Sequence, residues 1–199
     1  FRFQRTYTAA DFAYQGPDFA WAPMPDQYVL SWIYRQEIQD TSDPLLVEYI
    51  LVSSHAAFDV QAPYVEDWQC LGDGSLFHSL PALTFPGAWS DPPKLAQAYS
   101  SAVVYEFKVL SEFIRGFLSG GELVVIMGDH QPCAPVAGTS ASWSVPVHVI
   151  SRNPEAIRKF VQRGYTDGLI PGQAPPHPGS SPAADCRTGP TDGKSGLFT

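Results

Sequence analysis

Two places in the chain carry side chains suited to chemistry. Asp129 and His130 follow the apolar run Leu123–Met127 and Gly128, and His55 follows the β-rich run at 45–52. A carboxylate oxygen and an imidazole nitrogen on adjacent residues at a strand exit can both reach one cation, or one cation each of a pair, because the backbone is turning there. Gly128 permits an unusual backbone approach at that exit. Oxygen-plus-imidazole donors suit Zn²⁺ or Mn²⁺ better than the all-oxygen cage that Ca²⁺ prefers. An Asp-His pair in a loop also describes a hydrogen-bonded turn, and it is the position straight after a buried strand that brings the metal reading forward. His55 reads either as a satisfied histidine at a strand end, as a donor to an anionic ester oxygen, or as a further metal ligand.

Other reactive arrangements fail on spacing. Ser54 precedes His55, but adjacent strand residues point to opposite faces, so the two are poorly placed to form a nucleophilic dyad. The stretch G-T-S-A-S at 138–142 lacks the last glycine of a nucleophile elbow. The stretch G-P-T-D-G-K-S at 189–195 has its glycines one residue too close for a phosphate-binding loop, and no strand precedes it. His148 falls inside a strand pattern and reads as structural, while His78 and His177 sit in loops with nothing to specify them. Cys70, Cys133 and Cys186 form no C-x-x-C pair, which argues against a disulfide framework or a thiolate zinc site and leaves the redox compartment open.

The elements that must position these residues follow from periodicity. Residues 24–35 open with Pro25 and Asp26, which suit a first helical turn, and Val29, Trp32 and Ile33 then share a face. Asp43-Pro44 breaks the chain before the strand expected at 45–52, and residues 59–91 read as a long irregular connection. Pro92-Pro93, capped by Ser90 or Asp91, starts a long helix. Its apolar residues keep 3-and-4 spacing from Leu95 to Phe117 and stop at Gly120-Gly121. A buried strand follows at 122–127, a third strand at 145–150, and a helix opened by Asn153-Pro154. The strand, helix, strand order predicts an α/β fold with a mostly parallel sheet flanked by helices, the long helix crossing between parallel strands. Sites in such sheets form at the carboxyl ends of strands, where both His55 and Asp129-His130 stand. From about Gln173 the chain turns Pro- and Gly-rich, so a packed unit at 1–172 and a loosely packed tail at 173–199 are expected.

Composition bounds the function. The chain has 199 residues, 44 % of them hydrophobic, which is enough for one sizeable core but not comfortably for two domains. Lys and Arg number 12 against 20 Asp and Glu, a formal −8, which argues against a non-specific nucleic-acid binder needing basic surface. From Gln36 to Pro93 there is no Lys or Arg, a stretch read as a solvated acidic region ahead of a cation-attracting one, and Arg152, Arg158, Lys159 and Arg163 read as decorating a helical solvent face ahead of binding an anion. No stretch approaches the ~18 apolar residues of a membrane span. Phe1 in place of an initiator methionine is expected of a processed or partial chain.

The stretch E-L-V-V-I-M-G-D-H-Q-P at 122–132, followed by V-P-V-H-V-I-S-R at 145–152, resembles the late metal-binding segment of the alkaline phosphatase superfamily. The nearest branch is the sulfatase-like and lipoteichoic-acid-synthase-like enzymes of bacterial envelopes. M-P-D-Q at 24–27, Y-I-L-V-S-S-H-A-A-F at 49–58 and the helix at 99–118 agree in order, so the resemblance spans roughly residues 10–172. Ala57 departs from it, where such relatives usually carry Pro. The resemblance implies that Asp129 and His130 bind the catalytic divalent cation, Zn²⁺ or Mn²⁺ ahead of Mg²⁺ or Ca²⁺. It implies that His55 contacts the phosphate or sulfate group in flight. The nucleophile, a Thr, Ser or modified Cys, and a further acidic ligand would belong to an upstream half of the catalytic domain, and a membrane anchor outside this chain is compatible with the resemblance. No role is carried over to Arg2 or Arg5. The expectation is an extracytoplasmic, metal-dependent hydrolase or transferase of phosphate or sulfate esters with an alkaline-phosphatase-like sheet incomplete in this chain. The alternative is a non-catalytic sulfatase-like binding module or an inactive fragment.

Overall fold

A computed structural model describes residues 3–138 and 144–170 of the chain. Helix α1 (Asp26–Ile33) starts directly after Pro25, whose fixed φ of −67° suits a helix entry, and runs into one π turn at Tyr34–Ile38. Its buried side chains include Tyr28, Leu30 and Ile33, and also two polar residues of the first turn, Asp26 and Gln27. Strands β1 (Val60–Gln61) and β2 (Leu83–Thr84) form a minimal antiparallel pair. Helix α2 (Pro92–Phe117) is the long helix the spacing predicts, and Asp91 caps it by accepting the Lys94 N–H at 3.3 Å.

Strand β3 (Leu123–Met127), the short helix α3 (Ala134–Ala137), strand β4 (Val147–Ser151) and helix α4 (Pro154–Val161) complete the described elements. Asn153 caps α4 as expected, its Oδ1 accepting from Glu155 at 2.9 Å and Ala156 at 3.4 Å. No helix among the described residues is long and apolar enough to cross a membrane.

The main core lies where α1 crosses α2. Tyr28, Leu30 and Ile33 meet Tyr105, Val109 and Phe113 there. The connection at 59–91 is irregular, as expected, yet it is not peripheral. Three 3-10 turns deliver Trp68, Leu71, Phe77 and Ala88 into buried positions. Gln61 ties this connection to α2, its Nε2 donating to the Ala98 carbonyl at 2.7 Å and the Phe58 carbonyl at 3.2 Å. A second core cluster gathers Phe58, Phe85, Leu95, Ala98 and Ala102.

The expected parallel sheet is not found among the described residues. β3 and β4 pair antiparallel, with Leu123 opposite Ser151, Val125 opposite Val149 and Met127 opposite Val147. The chain between them holds only the four-residue α3 among its described residues, and a parallel return needs a crossover of about a dozen residues or more, usually helical. The segment at 45–52 also differs from expectation: it is extended but joins no ladder. It keeps the two-residue alternation of a strand nonetheless. Val47, Tyr49 and Leu51 pack inward on the core, while Leu46 and Ile50 face outward, Ile50 being 83 % exposed. β3 is likewise half open, with Leu123, Val125 and Met127 all exposed on one face. What the structure shows is a mixed arrangement of helices with two small antiparallel sheets. The tail boundary expected at 173 lies outside the described residues.

Candidate metal and ester site

Two separate segments meet at the candidate site. His55 stands on a tight turn after the extended run, its N–H donating to the Val52 carbonyl at 3.0 Å. Asp129 and His130 stand just past the end of β3. The imidazoles of His55 and His130 come together with ring centroids 6.2 Å apart and planes at 79°. The two strand-exit positions singled out by sequence are therefore neighbours in space.

Both imidazoles are oriented alike. His55 Nδ1 faces the Ala56 carbonyl and His130 Nδ1 faces the Gln131 carbonyl at 2.6 Å. A carbonyl only accepts, so each Nδ1 serves as a donor there and Nε2 is the ring nitrogen left for a ligand or a substrate. His130 Nε2 lies 3.8 Å from Asp129 Oδ1. Two donors at bond lengths of about 2.1 Å on a tetrahedral ion stand about 3.4 Å apart, so a closure of a few tenths of an ångström brings this pair onto one cation. The donor chemistry and the spacing both fit a divalent ion. Among the described residues no three His, Cys, Asp or Glu side chains lie close enough to share one, so this pair by itself leaves the coordination shell open. The side chains are also accessible, Asp129 at 88 % and His130 at 60 %.

On the other side of His55 lies a feature that sequence reasoning missed. The indole of Trp21 packs against the imidazole at 4.4 Å between centroids, tilted by 58°. His55 and Trp21 share the wall of an open cleft with Met24, Ser53, Val60 and Tyr105. The room in it is about 20 Å³, enough for one water, so the cleft as it stands does not take the body of an ester substrate.

Beneath the turn is a buried polar group that also went unforeseen. Asp26, 1 % exposed, accepts the Val52 N–H at 2.8 and 3.0 Å on its two oxygens and the Ser53 N–H at 2.6 Å. From sequence, Asp26 reads only as a carboxylate near a positive helix end. Next to it on α2, Glu106 is buried with neither oxygen hydrogen-bonded, and the Tyr105 hydroxyl is buried and unpartnered as well. Desolvation, then the charge of Asp26, raises the Glu106 carboxyl well above the ordinary range, so it stands as a neutral acid. Tyr105 is raised for the same two reasons in the same order. The signal for Glu106 was present in the sequence. Ala98, Ala102, Glu106, Val109 and Phe113 follow one helical stripe, and a charged residue on such a stripe marks an inward-facing acid.

The remaining candidates take structural places. His148 packs at 6.3 Å from the ring of Phe107, and His78 Nε2 meets the Gln15 carbonyl at 3.0 Å. Cys70 and Cys133 are free thiols, and the Cys70 thiol is raised by its bond to the Asp67 carboxylate. Arg5 pairs with Glu37 at 2.6 Å, and Arg158 with Glu155 at 2.7 Å on the exposed face of α4. Arg2, His177, Cys186 and the stretches at 139–142 and 189–195 lie outside the described residues. Comparison with known proteins returned no match, whether to a protein-family model, a curated protein or a solved structure.

Proposed function

We propose that this chain supplies part of the active site of a metal-dependent hydrolase or transferase acting on phosphate or sulfate esters. One observation carries the reading: His55 and the Asp129-His130 pair, distant in sequence, come together with imidazole centroids 6.2 Å apart and the Asp129 carboxylate 3.8 Å from His130 Nε2. In this reading Asp129 and His130 hold a divalent cation, Zn²⁺ or Mn²⁺ ahead of Mg²⁺ or Ca²⁺ by their mixed oxygen and nitrogen donors. When bound, the cation supplies positive charge to an otherwise acidic chain and so makes an anionic ester welcome. His55 contacts a non-bridging oxygen of the ester through its imidazole, and Trp21 packs against the ring from the other side.

The nucleophile and the missing ligands are assigned to a further segment, the upstream half of an alkaline-phosphatase-like domain. The unladdered run at 45–52 and the exposed apolar side chains of Ile50, Val125 and Met127 support this, since they offer backbone and surface for additional strands. An extracytoplasmic location and an upstream membrane anchor belong to the same proposal and rest on the sulfatase-like sequence resemblance. A nucleic-acid partner does not fit the formal −8. A second reading, a sulfatase-like binding module without turnover, is favoured by one fact: the pair is open to solvent and finds no third ligand among the described residues.

Metal content and esterase activity of the full-length protein separate these. Asp129→Ala and His130→Ala are expected to lose bound metal. His55→Ala should retain metal and lose about 10²-fold in kcat. Unchanged metal occupancy in both ligand variants would sink the site. Bound metal without turnover in the wild type would favour the binding module.

A further inference from the structure

The turn that carries His55 is held from one side by a single buried side chain. The run at 45–52 has no ladder to fix it, yet its last residues are not loose, because Asp26 takes three hydrogen bonds from two successive backbone N–H groups. Bonds from N–H to a carboxylate are short and about twice as strong as neutral ones. The Val52 carbonyl then accepts from the His55 N–H at 3.0 Å, so an unbroken path of hydrogen bonds leads from α1 to the residue bearing the imidazole. The chemistry of the group matches the task. Both carboxylate oxygens accept, whereas an asparagine would turn its NH₂ toward one of those N–H groups. The next residue makes the contrast: Gln27 faces one N–H and one carbonyl of Val65, and there an amide is the matching group. On its other side Asp26 meets the buried carboxyl of Glu106, while the bonds to 52 and 53 tie its carboxylate to the backbone of the turn.

We propose that Asp26 is the positioning residue for His55, setting the imidazole against Trp21 and toward His130 through the backbone of Val52 and Ser53. This rests on the reading of His55 as the substrate-contacting histidine. In that reaction Asp26 touches neither substrate nor metal, and acts by fixing where Nε2 stands.

The test uses the full-length protein and Asp26→Asn, which keeps size and removes one acceptor. Below the melting temperature of the variant, kcat is expected to fall about hundredfold while KM and bound metal stay within about twofold. The His55 imidazole proton resonances, shifted by the Trp21 ring in the wild type, are expected to move toward free-histidine positions. An unmoved His55 resonance in a folded variant overturns the proposal, as does an unchanged kcat in an active enzyme. Should Asp26→Asn not fold, hydrogen exchange of the wild type decides: the Val52 and Ser53 amides are expected to exchange at least tenfold more slowly than those at 46–50, and equal rates overturn it. If the wild type proves to have neither metal nor esterase activity, the functional reading falls, while the resonance shift still decides the positioning.

Discussion

Replacing Glu106 with glutamine isolates the energetic consequence of a neutral acid buried beside Asp26. Glu106 is 9 % exposed and neither oxygen has a hydrogen-bond partner. Burial and the neighbouring carboxylate raise its folded-state pKa well above 4.5. The folded chain therefore holds a proton that the unfolded chain releases. The stabilisation linked to that proton is fully present below the unfolded value of about 4.5 and is lost as pH rises through the folded value. One proton retained only in the folded state gives a slope of about −1.4 kcal/mol per pH unit across that window. From pH 4.5 up to the folded value the wild type loses stability at that slope and Glu106→Gln does not, because the amide is uncharged throughout. Urea denaturation of both proteins at half-unit pH steps measures this, and the difference between the two curves cancels groups that titrate alike in each. The stability gap should widen in favour of the glutamine variant as pH rises. Parallel curves from pH 5 to 8 would refute the argument that Glu106 is a buried neutral acid.

Gln27 is fully buried and binds both the carbonyl and the N–H of Val65, at 2.6 and 3.0 Å, so Gln27→Ala strands one buried acceptor and one buried donor. At ~1–3 kcal/mol for each group the expected loss is about 3 kcal/mol, measured by denaturant unfolding, and a loss below about 1 kcal/mol counts against it. Ile50 is 83 % exposed, so Ile50→Asp should change the stability of the 199-residue chain by less than about 0.5 kcal/mol. In a longer protein whose additional strand covers that face, the same change should cost about 2 kcal/mol or more by burying a charge; insensitivity in both contexts contradicts the proposed partner segment.

The parts of the fold that could be read from sequence are those governed by local patterns. The α2 stripe, the Asp91 and Asn153 caps and the runs that became β3 and β4 all follow from spacing within a dozen residues. Strand pairing is not local, and nothing in the run at 45–52 says whether a neighbour is there to complete its ladder. The core role of Trp68, Leu71 and Phe77 was hidden because 3-10 turns place apolar residues at irregular intervals that neither helix nor strand periodicity detects. For the candidate site, the ends of the two apolar runs single out His55 and Asp129-His130, and the structure places the two imidazoles 6.2 Å apart. Trp21 and Asp26 did not stand out. A carboxylate is buried only when donors come to meet it, and the donors for Asp26 lie 26 and 27 residues away.

That pair of neighbouring side chains at the start of α1 has a bearing on how the sequence is free to change. Asp26 clasps the chain 26 residues on, and Gln27 clasps it 38 residues on. Both closures are made by side chains whose reach does not depend on what the intervening chain does. Lengthening the exposed bend near Asp40 and Asp43 by ten residues adds only about 0.3 kcal/mol to the entropy of closing the shorter loop. Insertions there are tolerable so long as the two clasps remain. The spacing between α1 and His55 is thus free to drift over evolutionary time, whereas the adjacency of a carboxylate and an amide in one helical turn is not.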